Sequence, residues 1–391
     1  MLISFDILQT VGIAVIVFLI GRYIKNRIKF FQKYFIPASV IGGLLFSLLV
    51  FLGVKTNIFT IELTNTLQDF FMNIFFTCTG FTCSIKILKK SGKLGFILAI
   101  VAVAFLFVQN IVGVLLAGLF GINKLLGIAM GSISMSGGVG SGAAFGPMLE
   151  KFGAEGGTTV GVAAATFGLL LGSIVGGPVA RKLIIKYKLK SNSDQIEENK
   201  EEKIYLNSKS IFNSVLIVIV AALLGTYISK LLNLTKITFP YYVGCLFGGA
   251  IIRNIADLKY LKISMVEIDI IGEIALNLFL SMALMTLNIS KLMSLAVPML
   301  VILIMQALVM IVWAYYITFV AMGKNYDAAV MAAGHCGVGL GQTPNAMANM
   351  SAIIEENGPA PTAWFVLPVI TVIFINICNP LVITFFINLF K

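Results

Sequence analysis

The sequence predicts an all-α polytopic membrane protein with ten transmembrane helices. They form two inverted five-helix repeats, each with a re-entrant loop. Three observations predict this class. Of 391 residues, 59% are apolar and only 12% are charged. A glycine-rich phrase occurs twice, as GGVGSG at 137–142 and as CGVGLG at 336–341. The two halves of the chain also match one another in order, at an offset of about 200 residues.

A hydrocarbon core of ~30 Å takes roughly 20 apolar residues to cross as a helix. Runs suited to that task fall at 4–21, 36–54, 66–85, 94–119, 158–180, 210–232, 239–255, 266–287, 294–321 and 362–389. The first contains Asp6 and no preceding basic residue, so it reads as a retained span rather than a cleaved signal. The fourth has no charged residue at all, which is unusual for a soluble core helix of that length. Two further stretches, 125–150 and 328–350, are rich in Gly, Ser and Ala. Each is too interrupted for an ordinary span and too apolar for an ordinary loop, and both are read as re-entrant. The repeats are then 1–187 and 210–391, joined by a cytoplasmic linker at 188–209. That linker, KLKSNSDQIEENKEEKIYLNSK, carries both signs of charge and reads as a solvated segment.

Loop charge orients the chain. With alternate loops assigned to opposite sides, only Lys55, Lys124, Lys151, Lys230, Lys236, Lys291 and Lys391 of the 28 Lys and Arg fall on one side. Basic loops stay in the cytoplasm, so both termini face outward. The first re-entrant segment then enters from outside and the second from inside. The formal net charge of +11 is explained by these loops and does not call for nucleic acid. An odd number of spans per half turns the second half upside down. The half-to-half matches support a duplication: Pro37 with Pro240, Asp69 and Asn73 with Glu273 and Asn277, and Gly177-Pro178 with Asn379-Pro380.

The chemistry is expected where the helices break. Irregular backbone at membrane depth is tolerated only where protein buries it or it lines a cavity. Gly lets the chain reverse and lets N–H groups approach a ligand. Short helices are expected to restart at 143–150 and 344–351, with N-termini suited to a carboxylate. The expected substrate-binding residues are Ser136, Gly137, Gly138, Gly140, Ser141 and Gly142 in the first copy. In the second they are Gly337, Gly339, Gly341, Gln342, Thr343 and Asn345. Asn73, Asn277, Asn376 and Asn379 are the expected Na⁺ ligands, since amides and freed carbonyls suit a small cation. Close helix packing explains Gly113, Gly118, Gly172 and Gly176 equally well. The buried amides Gln109, Asn110 and Gln306 need partners. His335 is read either as a proton relay or as a neutral ring bonded to backbone.

Several classes are set aside by what the chain lacks. The five cysteines form no CxxC pattern and read as free thiols, and a single histidine excludes a multi-histidine metal site. No Walker motif suggests ATP drive. No nucleophile–base arrangement stands out, so the chain is not read as an enzyme and no cofactor is expected. Other readings stay open: a proton-coupled dicarboxylate carrier using His335 or Glu273, a channel with paired pore loops, and an intramembrane hydrolase pairing His335 with Ser136 or Ser141.

The chain strongly resembles the bacterial sodium/glutamate symporter family. The resemblance is carried by SMSGGVGSGAAFGPMLEKFG (134–153), ATFGLLLGSIVGGPVAR (165–181), LNLFLSMALMTLN (276–288) and YDAAVMAAGHCGVGLGQTPNAMANM (326–350). It implies Na⁺-coupled uptake of L-glutamate across the bacterial inner membrane, by a lipid-embedded homodimer with an elevator-like motion. Na⁺ is then a co-transported ion. The family commonly has His and Thr at the positions of Val139 and Ser141, and often Ala at that of Gln342. Those departures bear on substrate preference and ion stoichiometry.

Overall fold

The computed structural model describes residues 2–64, 66–191, 207–234, 238–287 and 289–391. Most of the expected linker therefore lies outside the described residues. The first half runs α1 (Ile7–Arg27), α2 (Lys29–Lys33), α3 (Ala38–Lys55), α4 (Thr66–Phe81), α5 (Ile85–Lys90), α6 (Gly92–Leu119), α7 (Lys124–Ile128), α8 (Gly138–Lys151) and α9 (Gly157–Tyr187). The second runs α10 (Ser208–Asn233), α11 (Tyr241–Asp257), α12 (Met265–Met285), α13 (Ile289–Ser294), α14 (Ala296–Trp313), α15 (Phe319–Ala321), α16 (Tyr326–Leu340), α17 (Thr343–Asn357) and α18 (Pro361–Phe390). Wider π-helical turns at Ala129–Ile133 and Ala314–Thr318 follow α7 and α14. Two short strands that the sequence reading did not anticipate, β1 (Leu2–Ser4) and β2 (Thr60–Glu62), pair in parallel.

Among the described residues, nine helices are long and apolar enough to cross a membrane. The run expected at 239–255 forms a helix of 17 residues, shorter than the other nine. Local signals set the helix starts. Asp6 and Gln9 cap α1 reciprocally, at 2.8 and 3.0 Å. Asn325 Oδ1 accepts from the Ala328 N–H at the start of α16. Pro37 and Pro240 stand at the same place before α3 and α11, both extended.

Two groups of helices pack together. One comprises α1, α3, α4, α10, α11 and α12, and the other gathers α6–α9, α14 and α16–α18 around α9. Small residues bring backbones close in the first group. A Cβ on Gly42 would lie 2.0 Å from the Val17 carbonyl oxygen where α3 meets α1. The equivalent crossing of α11 on α10 places Gly244 against Gly225.

The 31 residues of α9 make a rod of about 46 Å at 1.5 Å per residue. Each end of that rod meets a segment that leaves and returns. Asn123 Nδ2 donates to the Gly153 carbonyl at 3.1 Å, so the stretch from α7 to α8 starts and finishes beside the N-terminus of α9. At the other end, Tyr326 Oη donates to the Gly358 carbonyl at 2.5 Å, closing the α16–α17 pair. Arg181 of α9 pairs there with Glu356 of α17, and Ser191 Oγ donates to the Pro359 carbonyl. The two segments thus approach the middle of α9 from opposite ends.

Candidate functional site

The first break lies between Gly131 and Gly138. Gly131 has non-helical backbone at φ −94°, ψ −135°. Ser136 and Gly137 form the turn, and Gly138 sits at φ +71°, a conformation costly for any residue with a Cβ. The helix therefore restarts at Gly138, five residues before the expected 143. Residues 139–142 are the first turn of α8 rather than the reversal itself. The second break is at Gly341 and Gln342, and α17 restarts at Thr343, within one residue of expectation.

Behind the second break, α17 folds back along α16. Asn349 Nδ2 lies 3.3 Å from the Ala333 carbonyl, and a Cβ on Gly337 would meet the Ala346 nitrogen at 2.4 Å. The apex is anchored by Asn345. Its Oδ1 accepts from the Gln342 N–H at 3.2 Å, and its Nδ2 donates to the Leu169 carbonyl at 2.9 Å and to Ser173 Oγ at 2.5 Å.

The two apices meet through α6. Gln109 Nε2 donates to the Gly339 carbonyl at 2.6 Å, while its Oε1 accepts from Ser136 Oγ at 2.7 Å. Gln306 Nε2 donates to the Gln109 carbonyl at 2.8 Å. The next residue, Asn110, brackets the kink: Oδ1 accepts from the Ser132 N–H at 3.0 Å and Nδ2 donates to Ser132 Oγ at 2.9 Å. All three amides are fully buried. Gln109 and Asn110 therefore serve as interhelical partners for groups at the two breaks, and Gln306 bonds α14 to α6 behind them.

A cavity of about 350 Å³ opens beside the apices, between the two helix groups. Of the expected substrate residues, Ser136, Gly137, Gln342 and Thr343 line it, and so does Asn376 of the expected ion ligands. Gly138 lies beside Gln342, and Gly140 faces the lining side chains Phe75 and Leu276. Ser141 is half-buried, with its Oγ against Gly137. Gly142 packs on Gly161, Gly337 on Ala346, and Gly339 on Met310 and Phe105. Gly341 sits against Asn345, which lies behind the apex. Asn379 Nδ2 donates to the Ser132 carbonyl at 2.9 Å, and its buried Oδ1 has no partner among the described residues. Asn73 and Asn277 sit on α4 and α12 outside the lining. Asn277 Nδ2 donates to the Glu273 carbonyl.

Sequence reasoning passed over part of the wall. Thr79, Thr82 and Thr371 line the cavity, as does Asp269, one helical turn before Glu273 on α12. The i, i+4 rule that linked Glu273 with Asn277 would have found Asp269 if carried one turn back. His335 is buried and lies outside the lining. Its Nδ1 is 2.8 Å from Thr318 Oγ1, and its ring meets the edge of Phe105. Its partner is thus a threonine hydroxyl rather than backbone. Ser136 is committed to Gln109, so no serine–histidine pair forms here.

Away from the cavity, the turn between α8 and α9 is tied to α13 by Glu155 and Lys291. The Lys291 hydrogen bond, and after it the lysine's charge, hold the Glu155 carboxyl below its ordinary value.

Long apolar helices, broken segments entering from opposite ends and a shared cavity with hydroxyl, amide and acidic groups on its wall define a multi-pass membrane transport protein. Comparison with known proteins agrees with that class. The family model for the sodium/glutamate symporter matches residues 3–359. The sodium/glutamate symporter of Escherichia coli K12 is 38% identical over 98% of both chains. That of Haemophilus influenzae is 34% identical over 96% of both. The chain belongs to the sodium/glutamate symporter family. Among solved structures, a sodium proton antiporter from Methanocaldococcus jannaschii aligns over 97% of this chain and 95% of its own, at 15% identity and a TM-score of 0.44.

Proposed function

We propose that this protein is a secondary symporter that carries L-glutamate into the cell with Na⁺. The observation that carries the reading is the meeting of two broken segments, from opposite ends of α9, on one cavity whose wall holds hydroxyl, amide and acidic groups. Half-helix N-termini suit substrate carboxylates, and freed carbonyls suit a small cation. In this reading the carboxylates of glutamate meet the Ser136–Gly137 turn, where the Ser136 hydroxyl swings from Gln109 to the substrate, and the start of α17 at Thr343. Gln342 reaches over the first apex toward Gly138 and closes the same wall. The ammonium group faces Asp269 and Glu273 across the cavity. Co-bound Na⁺ offsets the charge of the substrate, because an isolated charge in hydrocarbon is expensive. Asn376 and Asn379 would hold the ion on α18, with Asn73 and Asn277 on the adjoining helices.

The finer architecture belongs to the same proposal. Ten spans count the 17-residue α11 as a crossing helix. The paired crossings Gly42 on Val17 and Gly244 on Gly225, at an offset of about 200, support inverted repeats at 1–187 and 210–391. The bonds Asn123–Gly153 and Tyr326–Gly358 support re-entrant segments at 125–150 and 328–350. We place the protein as a homodimer in the bacterial inner membrane, with both termini outside. The group around α9 would move as the carrier against the group built on α4 and α12.

Reconstitution tests the reading. Proteoliposomes should accumulate radiolabelled L-glutamate under an inward Na⁺ gradient, and accumulation should stop when choline replaces Na⁺. Accumulation that survives the exchange but follows a proton gradient would overturn Na⁺ coupling. It would favour the proton-coupled carrier, for which Glu273 and Asp269 on the cavity wall are available acids.

A further inference from the structure

We propose that the basic recess where α10, α11 and α12 meet binds the phosphate headgroup of an anionic phospholipid. A recess of about 570 Å³ opens at the turn between α11 and α12, and Arg253, Lys259 and Lys262 line it. Arg253 is already engaged, with Nε 3.3 Å from Asp257 Oδ1 and 12% of its side chain exposed. Lys259 and Lys262 are exposed and form no ion pair among the described residues. A second recess, of about 310 Å³, shares the Lys262–Ile263 wall and adds Lys209.

The carboxylates nearby are bonded to other groups rather than to these lysines. Asp257 is taken by Arg253 and Ser84. Glu267 accepts from Ser210 Oγ at 2.8 Å and from Ser214 Oγ at 2.7 Å. Arg253, Lys259, Lys262 and Lys209 outnumber these two anions, so the adjoining hollows keep a net positive charge.

The apolar surroundings choose the source of the phosphate. Leu261, Ile263 and Met265 line the larger recess. Leu258 at its edge is 68% exposed, and Phe212 on the next helix is 63% exposed. A free phosphate would use the lysines and leave this surface in water. A phospholipid uses both, with its headgroup among the lysines and its acyl chains along α10 and α11. Basic hollows between membrane helices are suited to such headgroups. The position bears on transport, because Lys262 stands three residues before α12, whose second and third turns carry Asp269 and Glu273 onto the cavity wall.

The test uses the full chain, purified in detergent, with lipid binding measured by native mass spectrometry and thermal stability in parallel. Phosphatidylglycerol should bind and stabilise, whereas phosphatidylcholine with the same chains and inorganic phosphate should do neither. Lys259→Ala/Lys262→Ala should weaken phosphatidylglycerol binding about 30-fold. Lys259→Arg/Lys262→Arg should keep it, and so should Lys55→Ala/Lys230→Ala at the other end of the helices. Equal binding of the two lipids, or unchanged affinity in the alanine double variant, overturns the proposal. Stabilisation by inorganic phosphate as strong as by lipid would make this a free-anion site instead. Binding that emerges only after Glu197, Glu198, Glu201 and Glu202 are changed to Gln would make the linker its occupant, and would equally reject the lipid.

Discussion

Gln109→Leu should uncouple the two apices with little change in volume. The wild-type side chain makes two bonds that the variant cannot: it accepts from Ser136 Oγ at 2.7 Å and donates to the Gly339 carbonyl at 2.6 Å. Its own carbonyl, which receives Gln306, is unaffected by the substitution. Ser136 Oγ already lies 3.5 Å from the Gly339 carbonyl, so it can turn there and restore one of the two. A net bond is worth about 1 kcal/mol, and a buried group left unpaired costs about 1–3 kcal/mol. The loss should therefore be about 2 kcal/mol, which corresponds to roughly 30-fold in the population with both apices in register. Na⁺-driven glutamate uptake should fall by that order, while the amount of protein in the membrane stays near wild type. Ser136→Ala removes only one donor and should cost less. Because the two residues share a bond, the double variant should lose less than the sum of the singles. Wild-type uptake in Gln109→Leu, or strictly additive losses in the double variant, would refute the coupling of the apices through α6.

Two glycines of the repeated phrases should respond differently to Val. At Gly337 a Cβ would strike the Ala346 backbone at 2.4 Å, so Gly337→Val should prevent α17 from closing on α16 and lower both thermal stability and yield. At Gly140 the nearest atoms are the side chains of Phe75 and Leu276, at 3.3 and 3.5 Å. Gly140→Val should therefore keep wild-type stability and lose uptake, and a stability loss equal to that of Gly337→Val would count against this placement. The pair of Glu155 and Lys291 should leave a small acid-side signature. The folded carboxyl titrates below its ordinary value, so the pair's contribution is complete above about pH 4.3 and is lost as pH falls through the folded value. Side-chain exposures of 75% and 42% keep that contribution small. The thermal midpoint of Glu155→Gln should sit slightly below wild type at neutral pH and converge with it in acid. Parallel curves would show that the pair contributes nothing.

Helix positions were legible because an apolar run must be long to cross a bilayer, and length survives in sequence. The runs read at 94–119 and 266–287 became Gly92–Leu119 and Met265–Met285. The breaks were legible in kind but not in register. The phrase at 137–142 marks the first break, yet its reversal sits at Ser136–Gly138, because Gln109 and Asn110 of α6 hold the chain there. Those partners stand more than twenty residues away, beyond any local pattern. The same limit explains the glycines. Gly140 faces the cavity wall while Gly142, two residues on, packs on Gly161, and only the neighbouring helix decides which is which.

Inexact symmetry is what an amino acid requires. Ser136 and His335 are matched in sequence, yet Ser136 lies in the first turn and lines the cavity, whereas His335 lies inside α16 and is buried against Thr318. Gln109 and Gln306 are likewise paired by position. Gln109 spends its side chain on joining the apices, and Gln306 spends its own on the Gln109 carbonyl. Support therefore runs one way, from the second half of the chain through Gln306 to Gln109 and on to Ser136. The first apex is left with a hydroxyl at the cavity, and the second with the longer amide of Gln342 and the start of a helix. Two identical apices would present the same groups from both sides, which suits a symmetric ligand. A load with a carboxylate and an ammonium at one end and a carboxylate alone at the other needs walls that differ. The unequal use of sequence-matched positions supplies that difference.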